Sequence, residues 1–224
     1  MPTMTEKHEM GDGMLEVKAA PTDRNVALKA VRKDGFALLH AEEVLKGDKE
    51  VVLAAVERCG NAIIYAAEDL KNDREIVLAA VMQAGDALRY VKTELNADLE
   101  VVMAAVQNCG TALRYAAEEM RTVREVVLAA VKQNGRALRF ASQAMRADKE
   151  IAMEAIKSAN SAYSYVDGSI RPELEEWMQD MWLEAGEHLS FRGTRAHLEP
   201  VPDASAKPRK PIAQSADPLV PPVK

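Results

Sequence analysis

A 25-residue repeat is the feature that most restricts what this chain can fold into. The segment DKEVVLAAV, which begins at Asp48, recurs with small changes one, two and three periods later. A worn copy precedes it and a degenerate copy follows the series, so the copies begin at Asp23, Asp48, Asp73, Asp98, Val123 and Asp148. We number them repeats one to six, covering residues 23–172 of the 224. Self-similarity at such a period is typical of repeat proteins whose units stack along one axis.

Each repeat is predicted to contain two short helices joined by a tight turn. Five repeats begin with Asp, which suits a helix N-cap, and a Glu such as Glu50 follows two residues later at the positive helix end. Gly recurs where the first helix should stop, as Gly60 does, and favours the left-handed conformation that ends many helices. Asn160, which replaces it in repeat six, also tolerates that conformation. Asn61 and its equivalents, directly after this position, are expected to cap the second helix.

The hydrophobic pattern predicts that neighbouring repeats pack against each other. In repeat two, residues 51–56 are all apolar, so the first helix is expected to be buried between neighbours. The second helix is one-sided, with Ile63 and Ala66 on one stripe and polar residues such as Glu68 outside it. One repeat cannot bury both faces alone, so we predict an all-α solenoid with a continuous core. The aromatic content of only 4% agrees with a core of small side chains.

The pattern D-x-E-V-V-L-A-A-V-x-x-x-G-x-A-L-x-Y-A resembles the repeats of the family catalogued as domain of unknown function 4116. The match is best over residues 48–147 and weaker in repeats one and six. The resemblance implies a helical repeat with no assigned activity, and it transfers no catalytic residues.

The flanking segments depart from the repeat. Residues 1–22 are an unpatterned N-terminal extension, and residues 200–224 contain seven prolines, which predicts an extended or disordered tail. Residues 173–199 are interpreted as an amphipathic capping helix and an exit loop. The helical spacing joins Leu174, Trp177, Met178, Met181, Trp182, Ala185 and Leu189. The helix is expected to seal the last repeat, and an alternative is that its Trp-rich face binds a partner.

The net charge of −6 argues against a general nucleic-acid binder, because phosphate contacts need a basic face. The segment 173–199 accounts for most of it at −5, whereas the repeats together carry −1. Repeat five is an exception with a net charge of +4, because it contains five basic residues and a single acidic one, Glu125. They are Arg124, Lys132, Arg136, Arg139 and Arg146.

The most regular polar positions on the second helices are occupied by arginines. Arg89, Arg114 and Arg139 are equivalent, and an aromatic residue follows each of them. Stacked repeats would place them roughly 10 Å apart, where they could hold a phosphorylated or acidic partner. The alternative is that they pair with Glu or Asp of neighbouring repeats while the rings fill the core. The predicted partner-binding residues are Arg89, Arg114, Arg139, Lys132, Arg136, Trp177 and Trp182.

The sequence predicts no enzyme, metal site or cofactor. Cys59 and Cys109 are equivalent residues two repeats apart, roughly 20 Å, so we expect small buried core residues and no disulfide. The four histidines, His8, His40, His188 and His197, show no ligand arrangement, and no catalytic motif occurs. No apolar run reaches the roughly 20 residues that span a bilayer. Early acidic residues argue against a secretory or transit signal, which favours a soluble, intracellular protein.

These observations lead to two functional hypotheses. The first is a non-enzymatic scaffold for protein–protein interaction, an accessory subunit of a larger assembly that docks through its solenoid surface and terminal extensions. The alternative is recognition of phosphorylated, acidic or nucleic-acid ligands by the basic band of repeat five.

Overall fold

The computed structural model describes Lys18, residues 20–91 and residues 94–184, with side chains through Gln179. The N-terminal extension to residue 17, the end of the predicted capping segment and the Pro-rich tail therefore lie outside the described residues. Contacts divide the chain into two units, residues 1–178 and residues 179–224, and the second is described only to residue 184. Within the described residues all regular structure is helical, which confirms the all-α prediction for repeats one to six.

The first helix of every repeat is a ten-residue α-helix. These helices are Arg24–Lys33, Lys49–Arg58, Arg74–Gln83, Leu99–Asn108, Arg124–Gln133 and Lys149–Ser158. Their N-caps follow the sequence prediction. In repeat two, for example, Asp48 Oδ1 accepts hydrogen bonds from the backbone N–H groups of Glu50 at 3.0 Å and Val51 at 3.2 Å. Val123, which replaces Asp in repeat five, provides no side-chain cap.

The second helix of every repeat is a six-residue 3₁₀-helix. These helices are Gly35–His40, Gly60–Tyr65, Gly85–Tyr90, Gly110–Tyr115, Gly135–Phe140 and Asn160–Tyr165. A single further turn, either α-helical or 3₁₀, then leads to the next repeat or, after repeat six, to the last described helix. These turns are Glu43–Lys46, Leu70–Asn72, Leu95–Ala97, Met120–Thr122, Gln143–Arg146 and Gly168–Ile170. Two of these helices have a side-chain cap directly before the Gly, where Asp34 accepts from the N–H of Phe36 and Asn134 from that of Arg136. The helix Gly60–Tyr65 has no side-chain cap, so the capping role predicted for Asn61 is wrong.

The core lies between consecutive repeats and consists of small aliphatic side chains. Four positions of each α-helix are buried, as Val51, Val52, Ala55 and Val56 are in repeat two. Alanine and a larger residue of the 3₁₀-helix, such as Ala62 with its neighbour Ile63, complete each layer. Consecutive α-helices pack on each other, and consecutive 3₁₀-helices do the same. The array of residues 23–170 is therefore an α-solenoid stabilised by contacts between neighbouring repeats.

The recurrent glycines lie in these interfaces, and the predicted left-handed helix ends are wrong. None of these glycines has a positive φ. The residue that caps each α-helix has an extended backbone instead, as Cys59 does with a φ of −149° directly before Gly60. A Cβ added to Gly60 would lie 2.2 Å from the carbonyl oxygen of Ala80 in the next repeat. The residue must therefore be Gly because two backbones approach closely. Asn160 is exposed in repeat six, the last of the array, so a side chain fits there.

Polar side chains join the ends of adjacent α-helices. Asn108 accepts a 2.8 Å hydrogen bond from the N–H of Gly85 and donates one of 2.9 Å to the carbonyl of Met82. In the next interface, Gln133 accepts from Gly110 at 2.6 Å and donates to the Asn108 carbonyl at 3.3 Å. Backbone groups left unpaired at helix ends are thereby satisfied by the following repeat.

Residues Arg171–Glu184 form the last described helix. Leu174 and Met178 are buried, at 0% and 4% exposure, and Trp177 is half-buried. Tyr163 of repeat six donates a hydrogen bond to Glu175. Burial, and to a smaller extent this hydrogen bond, raises the pKa of Tyr163 to about 12. The first turns of the helix therefore pack on repeat six, as the capping prediction requires.

Candidate functional site

The predicted arginine positions lie on the exposed side of the 3₁₀-helices, next to a row of aromatic rings. Arg89, Arg114 and Arg139 are all exposed, and the rings that follow them are half-buried. We call the three arginines and the rings of Tyr90, Tyr115, Phe140 and Tyr165 the arginine–aromatic column.

Each arginine of the column stacks on a ring. The guanidinium carbon of Arg114 lies 4.3 Å from the ring centroid of Tyr115. Arg89 bridges two repeats, with its guanidinium carbon 5.0 Å from the Tyr90 centroid and 5.9 Å from that of Tyr115. Arg139 does the same, at 4.8 Å from Phe140 and 5.8 Å from Tyr165. These distances are within the range of cation–π attraction.

The predicted alternative, in which these arginines pair with acidic residues of neighbouring repeats, is wrong. Among the described residues, no carboxylate forms an ion pair with Arg89, Arg114 or Arg139. Arg114 instead donates a hydrogen bond to the hydroxyl of Tyr115. Stacking leaves the N–H groups at the edge of an exposed guanidinium able to bind an oxyanion.

Repeat five adds a fourth arginine to this surface. Arg136 precedes Arg139 by three residues, and residues at that spacing are eclipsed on a 3₁₀-helix. Its Nε donates a 3.2 Å hydrogen bond to Ser161 Oγ of the next repeat. Lys132, on the α-helix of the same repeat, is exposed. The structure thus places two of the basic residues of this band on one 3₁₀ surface.

At the other end of the row, the positions equivalent to the column arginines are apolar. Leu39 in repeat one and Ile64 in repeat two are 42% and 38% exposed. Phe36 and Tyr65 meet edge to face there, with their ring centroids 6.3 Å apart. The exposed 3₁₀ surface therefore changes from apolar in repeats one and two to cationic in repeats three to five.

The α-helices carry a second set of regular charges, whose pairing was not predicted from the sequence. The first residue of most α-helices is basic, and it pairs with the capping Asp and the Glu of the next repeat. Arg24, for example, lies 2.7 Å from Asp48 and 2.5 Å from Glu50. Equivalent pairs join Lys49 to Asp73 and Glu75, Arg74 to Asp98 and Glu100, Arg124 to Asp148 and Glu150, and Lys149 to Glu173. We call these contacts the ion-pair ladder; its sequence signal is a basic residue 24 and 26 residues before two acidic ones.

The ladder perturbs the acidity of its members. A hydrogen bond from Arg24 is the main cause that lowers the pKa of Asp48, and Lys49 does the same for Asp73. For Asp98 the backbone N–H of Val101 contributes most to lowering the pKa, ahead of Arg74. The cations of the ladder are therefore neutralised by carboxylates, whereas the column arginines have no carboxylate partner among the described residues.

One rung of the ladder lacks both its cation and its capping acid and keeps only the second acid, Glu125. Leu99 stands where the other repeats have Arg or Lys, and Val123 stands where its capping Asp partner would be. Leu99 is 53% exposed. It borders a shallow open depression of about 590 Å³, lined by Asp98, Leu99, Glu100, Met103, Ala104 and Gln107. No His or Cys is among these residues.

The remaining predicted residues are less informative. Trp177 is half-buried in the capping helix, and the side chain of Trp182 lies outside the described residues. Cys59 and Cys109 are free thiols as predicted, but each is partly exposed and not fully buried. Within the described part of the chain, no group of three or more His, Cys, Asp or Glu is arranged to hold a metal ion. No helix among the described residues is long and apolar enough to cross a membrane.

Comparison with known proteins gives one result, and it concerns the repeats. The family model described as domain of unknown function (DUF4116) matches residues 23–71, 48–96, 73–121, 98–146 and 123–171. No curated protein and no solved structure gives a significant match. The five overlapping matches cover about two thirds of the 224 residues and keep the 25-residue period of the structure. The chain therefore belongs to the family described as domain of unknown function (DUF4116).

Proposed function

We propose that this chain is a non-enzymatic protein-binding module, and that its arginine–aromatic column binds an acidic segment of a partner protein. The observation that carries the proposal is the contrast between two sets of cations. Those of the ladder are each paired with carboxylates of the following repeat or, for Lys149, of the last described helix, whereas Arg89, Arg114 and Arg139 are exposed, stacked and without a carboxylate partner among the described residues.

The stacked arrangement favours binding over a purely structural role. A ring under each guanidinium restricts the side chain, so less conformational entropy is lost when a ligand binds. The planar guanidinium can donate two parallel hydrogen bonds to one carboxylate. Three such groups in consecutive repeats offer a multivalent surface for an acidic chain. In an assembly, this surface would hold a neighbouring subunit, in keeping with a scaffold or accessory role.

The second candidate function is recognition of phosphorylated or nucleic-acid ligands by repeat five. The observation that favours it is the eclipsed pair Arg136 and Arg139, because two arginines on one 3₁₀ surface can share a phosphate. The repeats as a whole are nearly neutral, however, and polynucleotide binding needs an extended basic face. The acidic protein segment is therefore the better-supported ligand.

The test compares two triple variants of the full chain that remove the same charge. R89Q/R114Q/R139Q disrupts the column, and R24Q/R74Q/R124Q is the matched control in the ladder. Binding of a fluorescein-labelled oligoglutamate peptide is measured by fluorescence anisotropy. We expect the column variant to bind at least about tenfold more weakly, the effect of losing charge-assisted hydrogen bonds worth about 1.4 kcal/mol or more. The control should stay within about threefold of the parent chain.

Two results would contradict the proposal. Equal losses in both variants would show that only net charge matters and that the column is not the site. Tighter binding of single-stranded RNA or of a phosphopeptide than of oligoglutamate, lost on R136Q, would favour the second candidate. Circular dichroism of each variant checks that the repeats remain folded.

A further inference from the structure

The spacing of the column can be bounded from its stacking distances. Because Arg89 lies 5.0 Å from the Tyr90 centroid and 5.9 Å from the Tyr115 centroid, these rings are at most about 11 Å apart. The distances from Arg139 to Phe140 and Tyr165 give the same limit for the rings of repeats five and six. Packed helices rarely approach closer than about 8 Å. The two rings that one arginine bridges are therefore about 8–11 Å apart, and because the repeats share one period we expect the same spacing between successive column arginines.

A polyproline II segment matches this spacing with one residue in three. It advances about 3.1 Å per residue and has three residues per turn, so every third side chain lies on the same side, about 9.3 Å further on. A β-strand places side chains on one side at intervals of about 6.6 or 13 Å, outside the range. An α-helix reaches about 10.5 Å with a seven-residue spacing, so distance alone does not exclude it.

The chemistry of the column distinguishes the polyproline II segment from the helix. The three arginines of the column are exposed and offer guanidinium N–H donors, and the half-buried rings beside them add aromatic surface. A polyproline II segment keeps its carbonyl oxygens free to accept, whereas the carbonyls of an α-helix are already bonded internally. Rows of aromatic side chains are also a common surface for binding proline-rich segments.

We infer that the column recognises a partner segment in polyproline II conformation with an acidic side chain at every third residue, three in all. The acidic residues contact Arg89, Arg114 and Arg139 in turn. The apolar positions Leu39 and Ile64 continue the row, so the segment carries apolar residues at the same spacing beyond one end of its acidic part. This inference rests on the proposed function and specifies its ligand.

The experiment uses the full chain and three labelled nonapeptides of identical composition, each with three Glu and six Pro or Ala residues. In the first peptide Glu occupies every third position, in the second every other position, and in the third Glu forms one block. We expect the first peptide to bind about tenfold more tightly than either of the others, as measured by anisotropy. R114Q, the middle position, should remove most of this preference, whereas the ladder variant R74Q should preserve it.

The outcomes separate this inference from the proposed function. If all three peptides bind equally and the column triple variant still loses binding, the spacing inference is overturned and the proposed function stands. If no acidic peptide binds, or if the column variant binds as the parent does, the proposed function fails and the inference with it. A helical peptide with Glu at seven-residue spacing that binds more tightly than the first peptide would also overturn the polyproline II assignment.

Discussion

The absence of a side chain at one position per repeat sets how closely the layers approach. A Cβ on Gly85 would lie 2.3 Å from the carbonyl oxygen of Ala105 and 2.8 Å from the Cβ of Cys109. Both atoms belong to the following repeat, and Ala105 is fully buried in its helix. Any side chain at this position must therefore push two repeats apart, which also strains the hydrogen bond from the Gly85 N–H to Asn108.

Gly85→Ala is expected to lower the free energy of unfolding by about 1–3 kcal/mol, the usual cost of overpacking. Gly47→Ala is the matched control, because its nearest neighbour would be 3.5 Å away and its φ of −92° suits alanine. Urea unfolding followed by circular dichroism measures both. If Gly85→Ala were as stable as the control, the close approach of the two repeats would not be what requires Gly here.

At this scale the sequence predicted some roles correctly and mistook others. The capping Asp residues were predicted correctly because the cap is local, joining Asp48 to amides two and three residues away. The reason for Gly60 was wrong because its constraint comes from Ala80, 20 residues later in the chain. Asn160 is compatible with both explanations, because Asn tolerates a left-handed backbone and because no further repeat covers this position. Local sequence does not distinguish a backbone requirement from an interface requirement.

Among the secondary-structure elements, the α-helices interact through a ladder that has one missing rung. Leu99 and Val123 replace a cation and its capping acid together, which leaves Glu125, the second acid of that rung, without the cation found in other rungs. Val123 also deprives its helix of a side-chain cap. The interface between repeats four and five is therefore held by apolar packing and the Gln133 hydrogen bonds, without this ionic contact.

Val123→Asp is expected to raise the free energy of unfolding by about 1 kcal/mol, because it restores an N-cap. The packing lost with the partly buried Val side chain reduces this gain. Val123→Asn separates the cap from the charge, since both side chains cap equally well. Thermal unfolding of both variants is measured with and without Leu99→Arg. A larger gain for Asp than for Asn, seen only in combination with Leu99→Arg, would show the rung re-formed; no gain from either variant would contradict the capping argument.

The hydrophobic pattern did not distinguish an α-helix from a 3₁₀-helix for the second helix of each repeat. Over six residues an α-helix and a 3₁₀-helix place nearly the same side chains on one side, so Ile63 and Ala66 suit both. The tighter helix is visible only in hydrogen bonds three residues apart, such as Ala62 N–H to the Cys59 carbonyl at 2.9 Å. It matters for the candidate site because it eclipses Arg136 and Arg139. The column arginines themselves were predicted from their period, but their stacking was not.

For the array as a whole, stability is expected to depend on pH through the ladder. Asp48, Asp73 and Asp98 have pKa values lowered in the folded state, so the unfolded chain binds more protons in acid. Their contribution is fully present above the unfolded Asp pKa of about 4 and is lost as the pH falls through the lower folded values. We expect the urea midpoint to fall between about pH 5 and about pH 2.

D48N/D73N/D98N is the control for this pH dependence, because Asn keeps the N-caps and removes the titrating charges. Its urea midpoint should change less with pH over the same range than that of the parent chain. If parent and variant followed the same pH profile, other carboxylates would be responsible for the acid sensitivity.

The contacts that join two repeats link positions about one period apart: Gly60 to Ala80, Arg24 to Asp48, Gln133 to Gly110. A duplicated segment of 25 residues therefore contains the residues that contact the preceding repeat as well as those that contact the following one, whichever residue is taken as its start. Such a chain can grow or shrink by whole repeats through duplication and deletion without a new interface having to evolve. If the proposed ligand is correct, the acidic segment recognised in a lineage that gained or lost arginine-bearing repeats would change by three residues for each repeat.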